Sequence, residues 1–209
     1  MQSQPAKILA YAQRLKTMAH LGLTYAKDDY DLERYRELEQ ISLEMMQEVT
    51  DVSLNKISGY FSSGKEYITP KTDIRVVIFN AEKQLLLVRE KADGKWSLPG
   101  GWADIGFSPK ETAVKEALEE TGFMVKPTKL LAVLDKKCHP HPPQADYVYK
   151  VFIQCEILSG DKSIAFDMLD VRFFDQNAIP ELSEHRVLPS QVELLFDFLA
   201  DPQKPAFID

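Results

Sequence analysis

Apolar positions recur every three or four residues through the first fifty residues, then every second residue or in short runs after Lys71. The first pattern is that of amphipathic helices and the second that of strands. Ile8, Tyr11 or Ala12, Leu15, Met18 or Ala19 and Gly22 form one stripe. After a break around Gly22 and Asp28-Asp29, a second stripe runs through Leu32, Tyr35, Leu38, Ile41, Met45 and Val49. Two helices of this length cannot build a substantial core alone. Their stripes must bury against the rest of the chain or against the same segment of a second subunit. Gly59, Ser62, Ser63, Gly64 and Pro70 mark residues 51–70 as a linker, and Tyr60, Phe61 and Tyr67 predict that part of it packs down.

Ile74–Phe79 and Gln84–Val88 flank an Asn80-Ala81-Glu82-Lys83 turn and predict a hairpin. A loop with Gly94, Trp96, Leu98 and Pro99 leads to Gly100-Gly101, and Trp96 is expected to pack it. A helix follows over Pro109–Thr121. Ser108 can cap it, Pro109 suits its first turn, Glu111 is placed for a capping box and Gly122 supplies the stop. Segments 129–135, 147–157 and 170–174 read as strands. Pro189–Ala200 reads as a final helix with Val192, Leu194, Leu195, Phe198 and Leu199 available for packing. This order describes a mixed α/β domain.

Composition narrows the partners. Of 209 residues, 44% are hydrophobic and 27% charged, which excludes disorder as the main state. Twenty-five Lys plus Arg against 32 Asp plus Glu leave a net charge of −7, so no general field attracts a nucleic-acid backbone. A polyphosphate must be met locally, most simply through divalent metal. The two cysteines, Cys138 and Cys155, exclude a disulfide scaffold and predict reduced thiols in a cytoplasmic protein. The N-terminus lacks the basic cluster of a targeting segment and the apolar runs are strand-sized, so no membrane partner is expected.

The chemistry concentrates in Lys115-Glu116-Ala117-Leu118-Glu119-Glu120-Thr121-Gly122. Glu116, Glu119 and Glu120 stand at i, i+3 and i+4 and share one helical face, where like charges repel. Mg²⁺ or Mn²⁺ would offset that repulsion, because hard ions take carboxylate oxygens. A solvated acidic face is the alternative on spacing alone.

With Gly100-Gly101-Trp102-Ala103-Asp104-Ile105-Gly106-Phe107-Ser108-Pro109 before it and Phe123 after it, this helix resembles the Nudix box. Gly101, Glu116, Glu119, Glu120, Gly122 and Phe123 match at the family's intervals, and the resemblance extends over residues 71–205. Phe107 departs from the usual Glu, and Lys115 from the usual Arg. Those two commonly form an ion pair bracing loop against helix; Asp104 is the acid available to substitute. The resemblance implies an α/β/α sandwich with a mixed sheet over 70–209, preceded by a small helical domain over 1–66 that dimerises. It also implies Mg²⁺- or Mn²⁺-dependent attack of water on one phosphorus of a pyrophosphate bridge. Glu116, Glu119, Glu120 and the Gly101 carbonyl would be metal ligands, with one of the carboxylates or a late-loop acid, Asp167 or Asp170, serving as base. An ordinary acidic turn is the alternative for the two aspartates.

Leu21–Asp28 with Asp31, Glu33, Arg34 and Tyr35, together with Trp96–Asp104, Lys137–Pro143 and Tyr147–Lys150, is similar to a bacterial Nudix subgroup with a helical N-terminal extension. Members are labelled ADP-ribose pyrophosphatases, and at least one type cleaves CDP-choline to CMP and phosphocholine. The implied substrate is a nucleoside diphosphate joined to a second moiety, CDP-choline-like or ADP-ribose-like. Arg89 is expected near the substrate phosphates or in a rim salt bridge. His139 and His141 are expected on a substrate-facing loop or a plain surface loop, the surrounding prolines disfavouring zinc. Tyr25 would stack on a base across the dimer or complete helix packing. A non-catalytic nucleotide sensor with a Nudix fold is the rival reading, drawn from Phe107 and Lys115, and action on RNA ends stays open because the same metal chemistry cleaves other phosphate linkages.

Overall fold

The computed structural model describes residues 4–50, 69–104 and 106–209. The expected linker therefore lies outside the described residues except for its last two positions. Among the described residues, no helix is long and apolar enough to cross a membrane. They divide into two compact units. One holds the first two helices and the loop Pro142–Tyr147; the other holds Lys71–His141 and Val148–Asp209.

In the helical unit, α1 (Gln4–Tyr25) and α2 (Asp29–Val49) pack on each other. The Asp28 carboxylate starts α2 by accepting the Tyr30 and Asp31 N–H groups. Leu9, Ala12, Leu43, Met46 and Ala145 form the core. Of the sequence alternatives, Ala12 and Ala19 are the buried ones, while Tyr11 and Met18 point outward. The second stripe is also rotated: Ile41 is exposed, and Ser42, Leu43 and Met46 are buried instead. Small residues let two helices approach closely, and this outweighs the larger apolar side chains one position away. Lys16 pairs with Glu39 at 2.7 Å. The Gln13 amide donates to the Ala145 carbonyl at 2.8 Å, which ties the Pro142–Tyr147 loop to the helices.

The other unit contains β1 (Lys71–Val77), β2 (Leu85–Glu90), β3 (Trp96–Ser97), α3 (Pro109–Thr121), β4 (Met124–Asp135), β5 (Val148–Ser159), β6 (Met168–Phe174), α4 (Pro189–Ala200) and β7 (Phe207–Ile208). One sheet has the order β1-β5-β4-β7 and the other β3-β2-β6. The β1–β5 and β4–β7 pairs are parallel and the rest antiparallel. The expected hairpin is corrected in one respect. The chain does turn at Asn80–Lys83, with a bridge between Phe79 and Leu85, but β1 and β2 then part into different sheets. A local turn signal brings the strands together at one end only; burial of both faces of β1 selects β5 as its partner.

Alternation along the strands makes two apolar layers. Ile74, Val76, Ile78, Leu86 and Val88 cluster with Ala113 and Ala117 of α3. Val77, Leu85, Leu87 and Phe152 cluster with Val192, Leu195 and Phe196 of α4. Helices thus cover both faces, giving an α/β/α sandwich. Trp96 belongs to the second layer, its ring edge-on to Phe174 at 4.7 Å.

One edge of β1 is taken by β5. The other receives the loop before α3: Val76 N–H donates to Pro99, Ile74 N–H to Gly101 (both 2.8 Å), and Ala103 N–H to Thr72 (2.9 Å). The helix that follows is fixed by a full capping box between Ser108 and Glu111, and Gly122 ends it at φ 78°. Removing the cap with Ser108→Ala is expected to lower stability by about 1 kcal/mol, read by urea denaturation, because the Glu111 N–H loses its side-chain partner.

Candidate active site

The loop on β1 and the last turns of α3 meet at Gly100-Gly101. Gly100 has φ +140°, and a β-carbon there would run into the Ile74 carbonyl, so only glycine fits. Its N–H donates to Glu120 Oε2 at 2.9 Å. Gly101 lies so close to Glu116 that a β-carbon would stand 3.0 Å from its Oε2. Two carboxylates from successive helical turns are thereby held against the glycine pair. Glu119 lies further out, 58% exposed and 4.0 Å from the Lys115 ammonium.

Burial sets the electrostatics. It pushes the Glu120 carboxyl up to about 8, with the Glu90 and Glu116 charges adding to the rise while the Gly100 N–H and Arg75 oppose it. Burial also raises Glu116, and Glu119 and Asp104 add to that. Among the described residues, no three His, Cys, Asp or Glu side chains converge as a ready-made metal cage. The donor chemistry still fits a hard divalent cation: half-buried and buried carboxylates short of positive charge, beside a backbone carbonyl. That carbonyl, Gly101, already accepts the Ile74 N–H, which leaves its second lone pair.

The departures at Phe107 and Lys115 are mutually compensated. The Lys115 ammonium bonds Asp104 at 2.9 Å and lies 5.7 Å from the centre of the Phe107 ring. A salt bridge and a cation–π contact thus brace the loop to the helix where a carboxylate at position 107 is missing.

The remaining candidates lie in other surroundings. Arg89 donates through Nε to the Gly94 carbonyl at 2.7 Å and faces Asp170 across the β2–β6 ladder. Asp170 contacts Lys162 at 2.8 Å and Arg172 at 2.5 Å and accepts its neighbour Val171's N–H. Burial is the largest single influence and raises its carboxyl, but these partners together outweigh it and hold the carboxyl below the usual range, the condition of a poor proton acceptor. Among the described residues no such clamp holds Asp167; its carbonyl accepts the Lys91 N–H at 3.0 Å. His139 Nε2 meets the Asp209 carboxylate at 3.1 Å. His141 Nδ1 lies 2.5 Å from the Glu184 carbonyl and Nε2 3.0 Å from the Gln191 amide nitrogen. A carbonyl only accepts and an amide N–H only donates, so the neutral Nδ1–H tautomer satisfies both contacts. Burial pushes this histidine down to about 3, and neither ring nitrogen remains for a substrate. Tyr25, in the helical unit, is 70% exposed.

Sequence reading passed over a set of buried charges in the strands: Asp73, Arg75, Glu90 and Lys150. Glu90 pairs with Arg186 at 2.9 Å, and burial raises its carboxyl. The available signal lay in β1, where Asp73 and Arg75 stand on either side of Ile74 at the start of its buried stretch.

Known proteins resemble this chain over most of its length. Residues 69–195 match the model of the NUDIX domain, and residues 6–61 match that of a UDP-X-like, N-terminal oligomerisation domain. YjhB of Bacillus subtilis (strain 168), provisionally named an ADP-ribose pyrophosphatase, is 45% identical over 203 residues, covering 97% of each chain. A crystal structure of a UDP-X diphosphatase is 32% identical, with a TM-score of 0.64 over 99% of this chain and 100% of that one. The crystal structure of an ADP-ribose pyrophosphatase from Streptococcus suis 89-1591 is 35% identical, with a TM-score of 0.61 over 68% of this chain and 100% of that one.

The raised Glu120 carboxyl has a signed consequence. Between its unfolded value of 4.5 and about 8, the folded protein keeps a proton that the unfolded chain has released, so burying Glu120 costs stability as pH rises through that window. A cation bound there must displace the proton. The Mg²⁺-induced rise in Tm is therefore expected to be larger at pH 8.5 than at pH 6.5, and equal increments would contradict it.

Proposed function

The chain belongs to the Nudix family, and from that premise we propose that it hydrolyses the pyrophosphate bond of a nucleoside diphosphate joined to a second moiety, ADP-ribose-like or CDP-choline-like. The observation that carries this reading is the meeting of the Gly100-Gly101 turn with the Glu116 and Glu120 carboxylates. Glu116, Glu119, Glu120 and the Gly101 carbonyl would hold Mg²⁺ or Mn²⁺. Bound there, the cation would neutralise charge on the phosphoryl oxygens and lower the pKa of a ligated water.

The chain's own residues supply the rest. Water attacks one phosphorus, the bridging P–O bond breaks, and two phosphate-terminated products leave. Where Glu120 is not taken up as a ligand, its carboxyl, pushed up by burial to about 8, is suited to take the proton of the attacking water near neutral pH. Asp167 is the other base we assign; the clamp on Asp170 favours a role in orienting Arg89 and β6. Arg89 has its Nη groups available for phosphate once Nε is fixed on Gly94. Asp104 acts by holding Lys115.

The likeness of residues 6–61 to an oligomerisation domain supports a homodimer built through the helical unit. Exposed Tyr11, Met18, Tyr25, Tyr30 and Ile41 supply apolar surface there, with Tyr25 a stacking candidate for the base. The histidine geometry supports structural roles for His139 and His141. Free thiols at Cys138 and Cys155 support a reducing, cytoplasmic setting.

The test is hydrolysis of a panel with Mg²⁺ or Mn²⁺: ADP-ribose, CDP-choline, UDP-sugars, NADH, diadenosine polyphosphates, nucleoside triphosphates and a 5′-triphosphate RNA. Wild type is expected to turn over one diphosphate-linked compound, with Glu120→Gln at least about a hundredfold slower. Metal-independent turnover, or tight binding of one compound with no turnover of any, would overturn the assignment and favour a nucleotide sensor.

A further inference from the structure

Arg75 is 6% exposed at the centre of β1, on the same face as Val77. Its guanidinium is held from two sides. One edge meets Asp73, at 3.1 Å through Nε and 2.8 Å through Nη2. From the other side, Nη1 donates to the Leu98 carbonyl at 3.1 Å and reaches Ser97 Oγ at 3.4 Å. Asp73 is itself held by the buried Lys150 from the neighbouring position on β5. The charge of Arg75 is also felt at Glu120 and Glu90.

Leu98 stands two residues before Gly100. The segment that bonds to β1 from Pro99 to Ala103 starts where Arg75 lets go of the chain. A flat, rigid fork bridging Asp73 and Leu98 fixes the height at which the loop leaves the core. The backbone N–H that caps Glu120, and the α-carbon against Glu116, follow from that height.

We propose that Arg75 is a positioning residue of the hydrolase: anchored on Asp73, it sets the Gly100-Gly101 turn against the Glu116 and Glu120 carboxylates. Lys150 neutralises the anchor and makes no bond to the turn. The inference rests on the reading of Glu116, Glu120 and Gly101 as metal ligands, and part of its test is independent of metal.

Amide hydrogen exchange is measured on the metal-free protein for wild type, Arg75→Met, Arg75→Lys and Lys150→Met. In Arg75→Met the Gly100 and Ala103 amides are expected to exchange at least about tenfold faster, while the β4–β5 ladder stays within about twofold of wild type. Lysine at 75 reaches Asp73 or Leu98 but not both, so Arg75→Lys is expected to lie between. Lys150→Met removes a buried cation from the same cluster and is expected to leave the turn within about twofold. Calorimetric titration with Mn²⁺ alone is expected to show affinity falling by about tenfold or more in Arg75→Met, with substrate KM changing less than kcat. Wild-type exchange at Gly100 and wild-type Mn²⁺ affinity in Arg75→Met would overturn the proposal. Uniform acceleration of every amide would do the same, by showing a purely structural loss. If wild type itself neither binds Mn²⁺ nor hydrolyses the panel, the metal reading fails instead, and the exchange result still decides whether Arg75 holds the turn.

Discussion

The free edge of β1 is the constraint on which the site depends. A strand that pairs on one side only leaves a row of N–H and C=O groups that must be satisfied elsewhere. Here the Pro99–Ala103 segment satisfies them, and it does so with glycines at the two positions that approach other backbone and carboxylate most closely. The turn is therefore a structural answer to an unpaired edge and, in the same atoms, a surface of backbone polar groups facing α3. Any residue other than glycine at position 100 would push the loop off the edge and undo both.

Opposite that turn, α3 presents carboxylates that are costly where they stand. Glu120 is 9% exposed, one N–H on its oxygen does not repay its desolvation, and its neighbours Glu90 and Glu116 make ionisation harder. The fold tolerates this because the capping box, Ala113 and Ala117 fix the helix independently. Strain of this kind at one place, supported by good packing everywhere around it, is how a scaffold keeps a binding site ready for charge of opposite sign. The Lys115–Asp104–Phe107 contacts show the same economy on the outer side of the helix, where a cation–π contact and a shorter acid replace one long ion pair.

Much of this was legible from the chain itself. The limits of α3 and α4 followed from local chemistry: Ser108, Pro109 and Glu111 at one end, Gly122 at the other, and a Pro189 start. The spacing of Gly101, Glu116, Glu119 and Glu120 pointed to a turn and a helix that the structure brings together. What stayed hidden is non-local. The Asn80–Lys83 turn suggested a hairpin, yet the partner of β1 is β5, more than seventy residues away in sequence, and no local pattern encodes that pairing. The first helical stripe left Tyr11 or Ala12 and Met18 or Ala19 open, and close packing decided for the alanines. Asp73 and Arg75 drew no notice, because a charge in a strand carries no sign of burial by itself, and only the parallel register with Lys150 shows a buried cluster. His139 and His141 drew notice as reactive residue types, but their partners lie at Asp209, Glu184 and Gln191, positions no motif connects to them.

We propose that the Gly100-Gly101 turn and the α3 carboxylates together form the cation site of a pyrophosphohydrolase. Anomalous diffraction from crystals soaked in Mn²⁺ tests it most directly. A peak is expected within coordinating distance of the Gly101 carbonyl and of Glu116 or Glu120, with the buried carboxylates drawn onto it. A peak at Asp167 and Asp170 instead, with none beside Gly101, would contradict it.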